Sequence, residues 1–250
     1  ENTLEYKKNI DLHNFTLFAL AGLNGLDQYT NGYGGRLLPN ENLGINGIDQ
    51  GVPYIPASSS LRNTMVSYAG RLDYSYDSKY LLTLTYRADA SSKFQDPWGY
   101  FPGLAAGWNL DREGFFKRAF PFFSTTKIRA SYGSTGNNRV GEFARFPSLS
   151  QTLSGYSFNN NTPVQRVQVS SVGNMGLRWE KVNTTDIGLE LGAFNNRITM
   201  EVDVYNKLTT DLLLSAQLPT STGFSSATRN IGKLRNRGLE VTLNTVNFEK

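Results

Sequence analysis

The most constraining feature of this chain is a period-2 alternation of apolar and polar residues, recurring in long runs. Tyr80, Leu82, Leu84, Tyr86 and Ala88 alternate with Thr83, Thr85, Arg87 and Asp89. Ile128, Ala130 and Tyr132 alternate with Lys127, Arg129 and Ser131. Ile187, Leu189 and Leu191 alternate with Asp186, Gly188 and Glu190. Ile198, Met200, Val202 and Val204 alternate with Thr199, Glu201 and Asp203, and Leu239, Val241 and Leu243 with Glu240, Thr242 and Asn244. Successive side chains of a strand point to opposite faces, so each run is a strand with one apolar and one polar, often charged, face.

Extended along the chain, the pattern predicts about nine strands, near 2–8, 13–26, 67–76, 80–90, 100–110, 125–134, 179–194, 197–208 and 236–247. Many reach the roughly 9–11 residues that a membrane-spanning strand needs, against about five or six for an ordinary strand. Connections alternate in length. Asn9–Leu12, Asp77–Lys79 and Asn195–Asn196 are short, with Asp111–Ser124 on the short side. Asp27–Val66, Thr135–Arg178 and Thr209–Arg235 are long, with Ser91–Gly99 on the long side. Such order puts the long loops at one end of a sheet, as in outer-membrane barrels with short periplasmic turns and long extracellular loops. The expected fold class is all-β: a segment of an antiparallel up-and-down transmembrane β-barrel.

Composition narrows the chemistry. The chain has no Cys, so it holds no disulfide, thiol nucleophile or Cys-based zinc site. Its one histidine, His13, excludes a multi-His metal site, and its place near a turn predicts a solvated ring. No run of about 18 apolar residues is present, so no transmembrane helix is expected. The net charge of +4 is scattered, without the basic stripe of a nucleic-acid binder. Ser124-Thr125-Thr126-Lys127 fits an SxxK pattern but leads into a strand with no KTG motif after it. Glu201 and Asp203 share one strand face, about 6.6–6.8 Å apart along the backbone. That spacing is allowed for a glycosidase pair, but nothing else supports one, and a hydrated barrel wall explains it. No enzyme activity, cofactor or metal is expected.

Aromatics gather near strand ends: Tyr76 and Tyr80 about a turn, Trp98, Tyr100 and Phe101 opening a strand, Phe194 before a turn, and Trp179 opening its strand. Girdles of this kind belong to transmembrane barrels.

The order of several motifs is also specific. Ser67-Tyr68-Ala69-Gly70-Arg71-Leu72-Asp73-Tyr74 precedes Arg87-Ala88-Asp89-Ala90-Ser91-Ser92-Lys93-Phe94 and Trp98-Gly99-Tyr100-Phe101-Pro102. Lys127-Ile128-Arg129-Ala130-Ser131-Tyr132-Gly133, Thr185-Asp186-Ile187-Gly188-Leu189, Tyr205-Asn206-Lys207 and Arg237-Gly238-Leu239-Glu240-Val241 follow. From about Ser67 onward the chain resembles the SusC/RagA-like TonB-linked outer-membrane transporters of Bacteroidota. The resemblance implies a barrel of about 22 strands, of which residues 1–250 are a partial barrel domain, with the plug and TonB box outside this chain. It further implies import of a bulky nutrient, an oligosaccharide first and a peptide second, across the outer membrane of a Gram-negative bacterium. TonB would act through the missing plug, and a SusD-like surface lipoprotein would be the partner. Two other readings stand beside it: a siderophore-type TonB-dependent receptor, and a soluble carbohydrate-binding β-sandwich.

Candidate ligand contacts follow from the residue types. Arg87 and Asp89 share the polar face of one strand beside a longer connection. Tyr54, Trp98, Tyr156 and Asn159 are expected in or beside the long loops, where aromatic faces and amides suit sugars or peptides.

Overall fold

A computed structural model describes residues 1–54, 58–152 and 166–247. The strands are β1 (Asn2–Ile10), β2 (His13–Thr30), β3 (Gly34–Arg36), β4 (Val52–Tyr54), β5 (Ser59–Tyr76), β6 (Tyr80–Ser91), β7 (Trp98–Asn109) and β8 (Phe123–Asn137). They continue as β9 (Ser148–Thr152), β10 (Arg166–Ser171), β11 (Glu180–Ala193), β12 (Ile198–Thr210), β13 (Leu213–Gln217), β14 (Ser226–Asn230) and β15 (Lys233–Thr245). One short helix, α1, covers Gly114–Ala119. No helix among the described residues is long and apolar enough to cross a membrane, which says nothing of strands.

The long strands form one nine-stranded sheet in the order β1-β2-β5-β6-β7-β8-β11-β12-β15. Each pairs with the next long strand along the chain, the up-and-down order expected of a barrel wall. Register aligns the apolar side chains into rows: Leu72 faces Leu84, Leu84 faces Leu104, and Leu104 faces Tyr132. Leu84, Leu104 and Tyr132 stay exposed, as do Val241 (59%) and Leu239 (64%), while Leu72 is half-buried. An apolar band this long on an open sheet is a surface made for lipid.

Two compact units make up the chain: Glu1–Leu23 with Met65–Lys250, and Asn24–Thr64. The smaller unit carries the β3/β4 ribbon and a run of 3-10 turns, Glu41–Gln50, broken at Gly44 (φ 53°). The Asn40 side chain caps that run by accepting from the Asn42 amide at 3.1 Å. In the larger unit, connections 11–12, 77–79, 110–122 and 194–197 share one end, the turn end. Connections 92–97, 138–179 and 211–232 share the other, the loop end.

The turn end is made by residues that tolerate left-handed backbone. Asp77 and Ser78 (φ 48° and 50°) close β5 onto β6, and Asn195 and Asn196 (φ 58° and 61°) close β11 onto β12. Phe194 also sits at φ 55°, a conformation that costs an aromatic residue about 1 kcal/mol or more.

The buried core lies at the loop end, on the charged face. It comprises Phe94, Phe101, Leu177 and Trp179, with Met65, Val140, Ala144 and Leu213 packed around it. The Trp179 ring stands 5.5 Å from both Phe94 and Phe101 and donates Nε1–H to the Pro97 carbonyl at 2.8 Å. Phe101 and Trp179 therefore do not belong to a lipid girdle as their places near strand ends suggested. Phe101 has the parity of the charged face, opposite Tyr100, and Trp179 lies just ahead of β11 under the loops.

Three other expectations change. β5 starts at Ser59 rather than 67, because its polar first residues show no alternation and are held by the ladder to a neighbour strand. The long connections carry two-stranded ribbons, β9/β10 and β13/β14. His13 is not simply solvated: its Nδ1 lies 2.9 Å from the Tyr74 hydroxyl, and its ring packs against Tyr76 at 4.9 Å.

Candidate functional site

The charged face carries two polar centres. The first is a groove of about 590 Å³ lined by Phe18, Arg71, Arg87, Asp89, Phe101 and Ser134, among others. Arg87 and Asp89 point into it because they are two residues apart on β6, which puts them on one face. Arg87 Nε donates to Asp89 Oδ2 at 2.6 Å, and Nη2 donates to Ser67 Oγ, across the β5 pairing, at 3.3 Å. The Asp89 residue is only 5% exposed, and its Oδ1 is buried without a hydrogen-bond partner. A buried, unpaired carboxylate oxygen costs free energy unless a donor meets it. What the groove presents is the half-exposed Arg87 guanidinium beside the Phe101 ring, with the Asp89 carboxylate buried beneath it. Its cation and aromatic wall suit the binding of a polar ligand.

Phe101 reaches its place because the positions beside it are small. A Cβ at Gly136 or at Gly99 would overlap the Phe101 ring. Alternation of apolar and polar residues does not expose this wall of the groove.

The second centre surrounds Arg129 on β8. Its Nη1 donates to Asp186 at 3.1 Å and its Nη2 to Glu201 at 2.5 Å. Asp203 Oδ1 lies 2.7 Å from Nη2 and Glu190 Oε1 lies 3.1 Å from Nε, as ion-pair contacts outside hydrogen-bond alignment. Lys127 Nζ reaches the same Glu190 oxygen at 3.3 Å. Gly188 makes room, since a Cβ there would overlap the Asp203 carboxylate and crowd the guanidinium at 2.7 Å. Glu201 and Asp203 are thus bound into a cross-strand ion network, the wall role expected of charged lumen residues.

Of the remaining candidates, Trp98 lies on the other face of the sheet, Tyr54 belongs to the smaller unit, and two fall outside the described residues. Trp98 pairs with Ala90 at the start of β7, on the face opposite Arg87 and Asp89. There it stacks on Tyr68 at 6.2 Å and Tyr100 at 6.3 Å, forming an outward aromatic row near the loop end. Tyr54 lies on β4 in the smaller unit, its backbone paired with Gly34. Tyr156 and Asn159 lie outside the described residues.

At the loop end, side chains tie the connections together. Lys93 Nζ donates to the Val140 carbonyl at 2.9 Å and pairs with Glu142 at 3.4 Å. Arg145 donates to the Phe94 carbonyl at 2.9 Å, Asn174 to the Thr228 carbonyl at 3.0 Å, and Arg178 pairs with Asp211 at 2.6 Å.

Comparison with known proteins gives a consistent result. A family model described as "TonB dependent receptor-like, beta-barrel" matches residues 2–248. TonB-dependent receptor P26 of Formosa agariphila is 34% identical over 263 residues, taking in 99% of this chain and 25% of that protein. TonB-dependent receptor SusC of Bacteroides thetaiotaomicron is 40% identical over 189 residues, 73% of this chain and 18% of that protein. The solved RagAB peptide transporter superposes with a TM-score of 0.81 at 25% identity, over 96% of this chain and 26% of that one. The chain spans about a quarter of the length of the curated relatives it matches.

Proposed function

The chain belongs to the TonB-dependent receptor-like β-barrel family, and from that premise we propose that the protein carrying it imports a bulky nutrient, an oligosaccharide or a peptide. The nine-stranded sheet is a stretch of the wall of an outer-membrane barrel of a Gram-negative bacterium. The observation that carries the transport reading is the division of that sheet into an exposed apolar face and a charged face, with long connections gathered at one end of the larger unit. The charged face is the lumen, where water and cargo pass.

In this reading the plug and TonB box lie in the remainder of the polypeptide, and TonB acts through them. A SusD-like surface lipoprotein is the partner at the loop end. Arg87 and Asp89 are the lumen contacts, the half-exposed Arg87 guanidinium meeting cargo and the buried Asp89 carboxylate holding it in place. Tyr54, Tyr156 and Asn159 stand as further candidate contacts on residue type alone. Trp98, on the outward row, is left out of the cargo path. A transporter of this kind performs no covalent chemistry on its cargo.

The test is deletion of the whole gene, followed by uptake of defined oligosaccharides and peptides and by fractionation of the cells. Loss of uptake of one class, with a band well above about 60 kDa in the outer membrane, supports the proposal; strands at this spacing need roughly that mass for 22 of them. Loss of iron-limited growth alone would point to a siderophore receptor. A folded soluble band near 28 kDa would overturn the reading in favour of a binding module.

A further inference from the structure

Between β7 and β8 the chain does not make a tight turn. It forms a 3-10 turn at Leu110–Arg112 and then α1, and it runs on through Phe120, Pro121 and Phe122 into β8. Glu113, immediately before α1, is pinned to the wall. Its Oε1 accepts from the Tyr80 hydroxyl at 2.8 Å and from Trp108 Nε1 at 3.3 Å. Tyr80 and Trp108 face each other in register and stack at 6.1 Å, and both have the parity of the apolar face. The segment is therefore fastened to the outer side of the wall, not to the lumen side.

What it presents there is apolar and basic. Phe115 is 60% exposed, Phe120 45%, Phe122 47% and Phe194, from the neighbouring turn, 59%. Phe122 stacks on Phe194 at 6.3 Å, which joins the two connections into one patch. Phe194 keeps an aromatic ring at φ 55°, where Asn or Gly would be easier. Lys117 and Arg118 occupy the last turn of α1, both exposed. Exposed rings beside cations, continuous with a lipid-facing band, match the composition of a segment lying in the membrane interface.

We infer that residues 110–123, with Phe194, form an interfacial anchor on the periplasmic leaflet. Phe115, Phe120, Phe122 and Phe194 enter the boundary between headgroups and acyl chains. Lys117 and Arg118 meet the phosphates of anionic phospholipid. The occupant is lipid because the patch continues the apolar face of the wall, so any bilayer that covers that face reaches the patch as well. The inference rests on the outer-membrane reading of the wall, and the test separates the two.

The 250 residues contain no Cys, so a single probe can be placed in them. The full-length protein, with Phe115→Cys carrying an environment-sensitive fluorophore, is reconstituted in phosphatidylcholine vesicles with and without phosphatidylglycerol. Leu104→Cys, in mid-wall, is the companion site. Expected for Phe115→Cys is quenching by lipids spin-labelled near the headgroup, protection from iodide, and deeper quenching when phosphatidylglycerol is present. Lys117→Glu with Arg118→Glu should abolish that anionic-lipid increment. Quenching by iodide alone, or shielding from both quenchers by covering protein, overturns the anchor while the Leu104→Cys probe still reports lipid. If Leu104→Cys also fails to meet lipid, the barrel reading falls first.

Discussion

The two ends of the larger unit are built by different means. At the turn end, backbone geometry does most of the work. Left-handed residues close short turns, and amides bridge adjacent turns: Asp77 N–H to the Leu12 carbonyl at 2.8 Å, and Phe194 N–H to the Phe122 carbonyl at 3.0 Å. Phe115, Phe120, Phe122 and Phe194 there stay exposed. At the loop end, side chains do the work. A buried aromatic core and a set of side-chain-to-backbone bonds hold together connections far apart in sequence. The difference teaches where a barrel wall obtains its stability. Along the wall the apolar groups wait for lipid, so hydrophobic burial within the chain itself is concentrated under the loops.

The largest expected effect breaks the loop end alone. Trp179→Ala removes the ring between Phe94 and Phe101 and one of the two donors to the Pro97 carbonyl, which keeps the Ser91 amide at 3.0 Å. It should cost about 3–5 kcal/mol of local stability. Hydrogen exchange on the full-length protein should show 92–97 and 138–147 deprotected while the 77–79 turn is unchanged. Equal loss at both ends would show that the two are one cooperative unit.

Next is Arg129→Ala, which breaks mid-wall. It leaves Asp186, Glu190, Glu201 and Asp203 facing one another, with Lys127 paired to Glu190. The site is partly hydrated, so the expected loss is roughly 1–3 kcal/mol, read as a lower temperature for the heat-induced gel shift of the folded barrel. Gly188→Val should act in the same direction, by overlap with Asp203 rather than by loss of charge.

Asp89→Asn tests the lumen groove without dismantling it. The amide keeps the size of the side chain but offers Arg87 a weaker acceptor. Stability should change by about 1 kcal/mol or less, while uptake or cargo affinity falls. Unchanged uptake would make the pair a wall contact only.

The smallest effect sharpens the turn end. The Tyr80 hydroxyl, first, and then Trp108 Nε1 and the nearby Lys79 hold the Glu113 carboxyl below the ordinary glutamate range. A carboxylate with a depressed folded value contributes stability above its unfolded value and loses it as pH falls through the folded one. Attachment of the 110–123 segment should therefore persist at the ordinary glutamate range and release only below it. Trp108 fluorescence against pH should show that step, and Glu113→Gln should remove it.

Much of this was legible in the residues. The nine wall strands, their order and both faces follow from period 2 and from turn chemistry at sites such as Asp77 and Asn195; the alternation of connection lengths breaks at 92–97 and 110–122, where the turn-end connection is the longer because it carries α1. Arg87 and Asp89 were legible as a same-face pair. The ends of β5, the ribbons within the long connections, and α1 were less so, because polar extensions and short elements carry no hydrophobic period. The partners of Asp89, and the way Gly99 and Gly136 admit the Phe101 ring, could not be read at all.

Local sequence by itself determined which residues extend, where the chain reverses, and which face of each strand is charged, since a strand's side chains alternate wherever the strand is placed. Tertiary structure alone decided that Trp179 meets Phe94 and Phe101, that one guanidinium gathers carboxylates from two strands, and that Glu113 fastens a helix to the outer wall. Those contacts join residues separated by tens of positions, and only register and twist bring them within reach, so no local pattern encodes them.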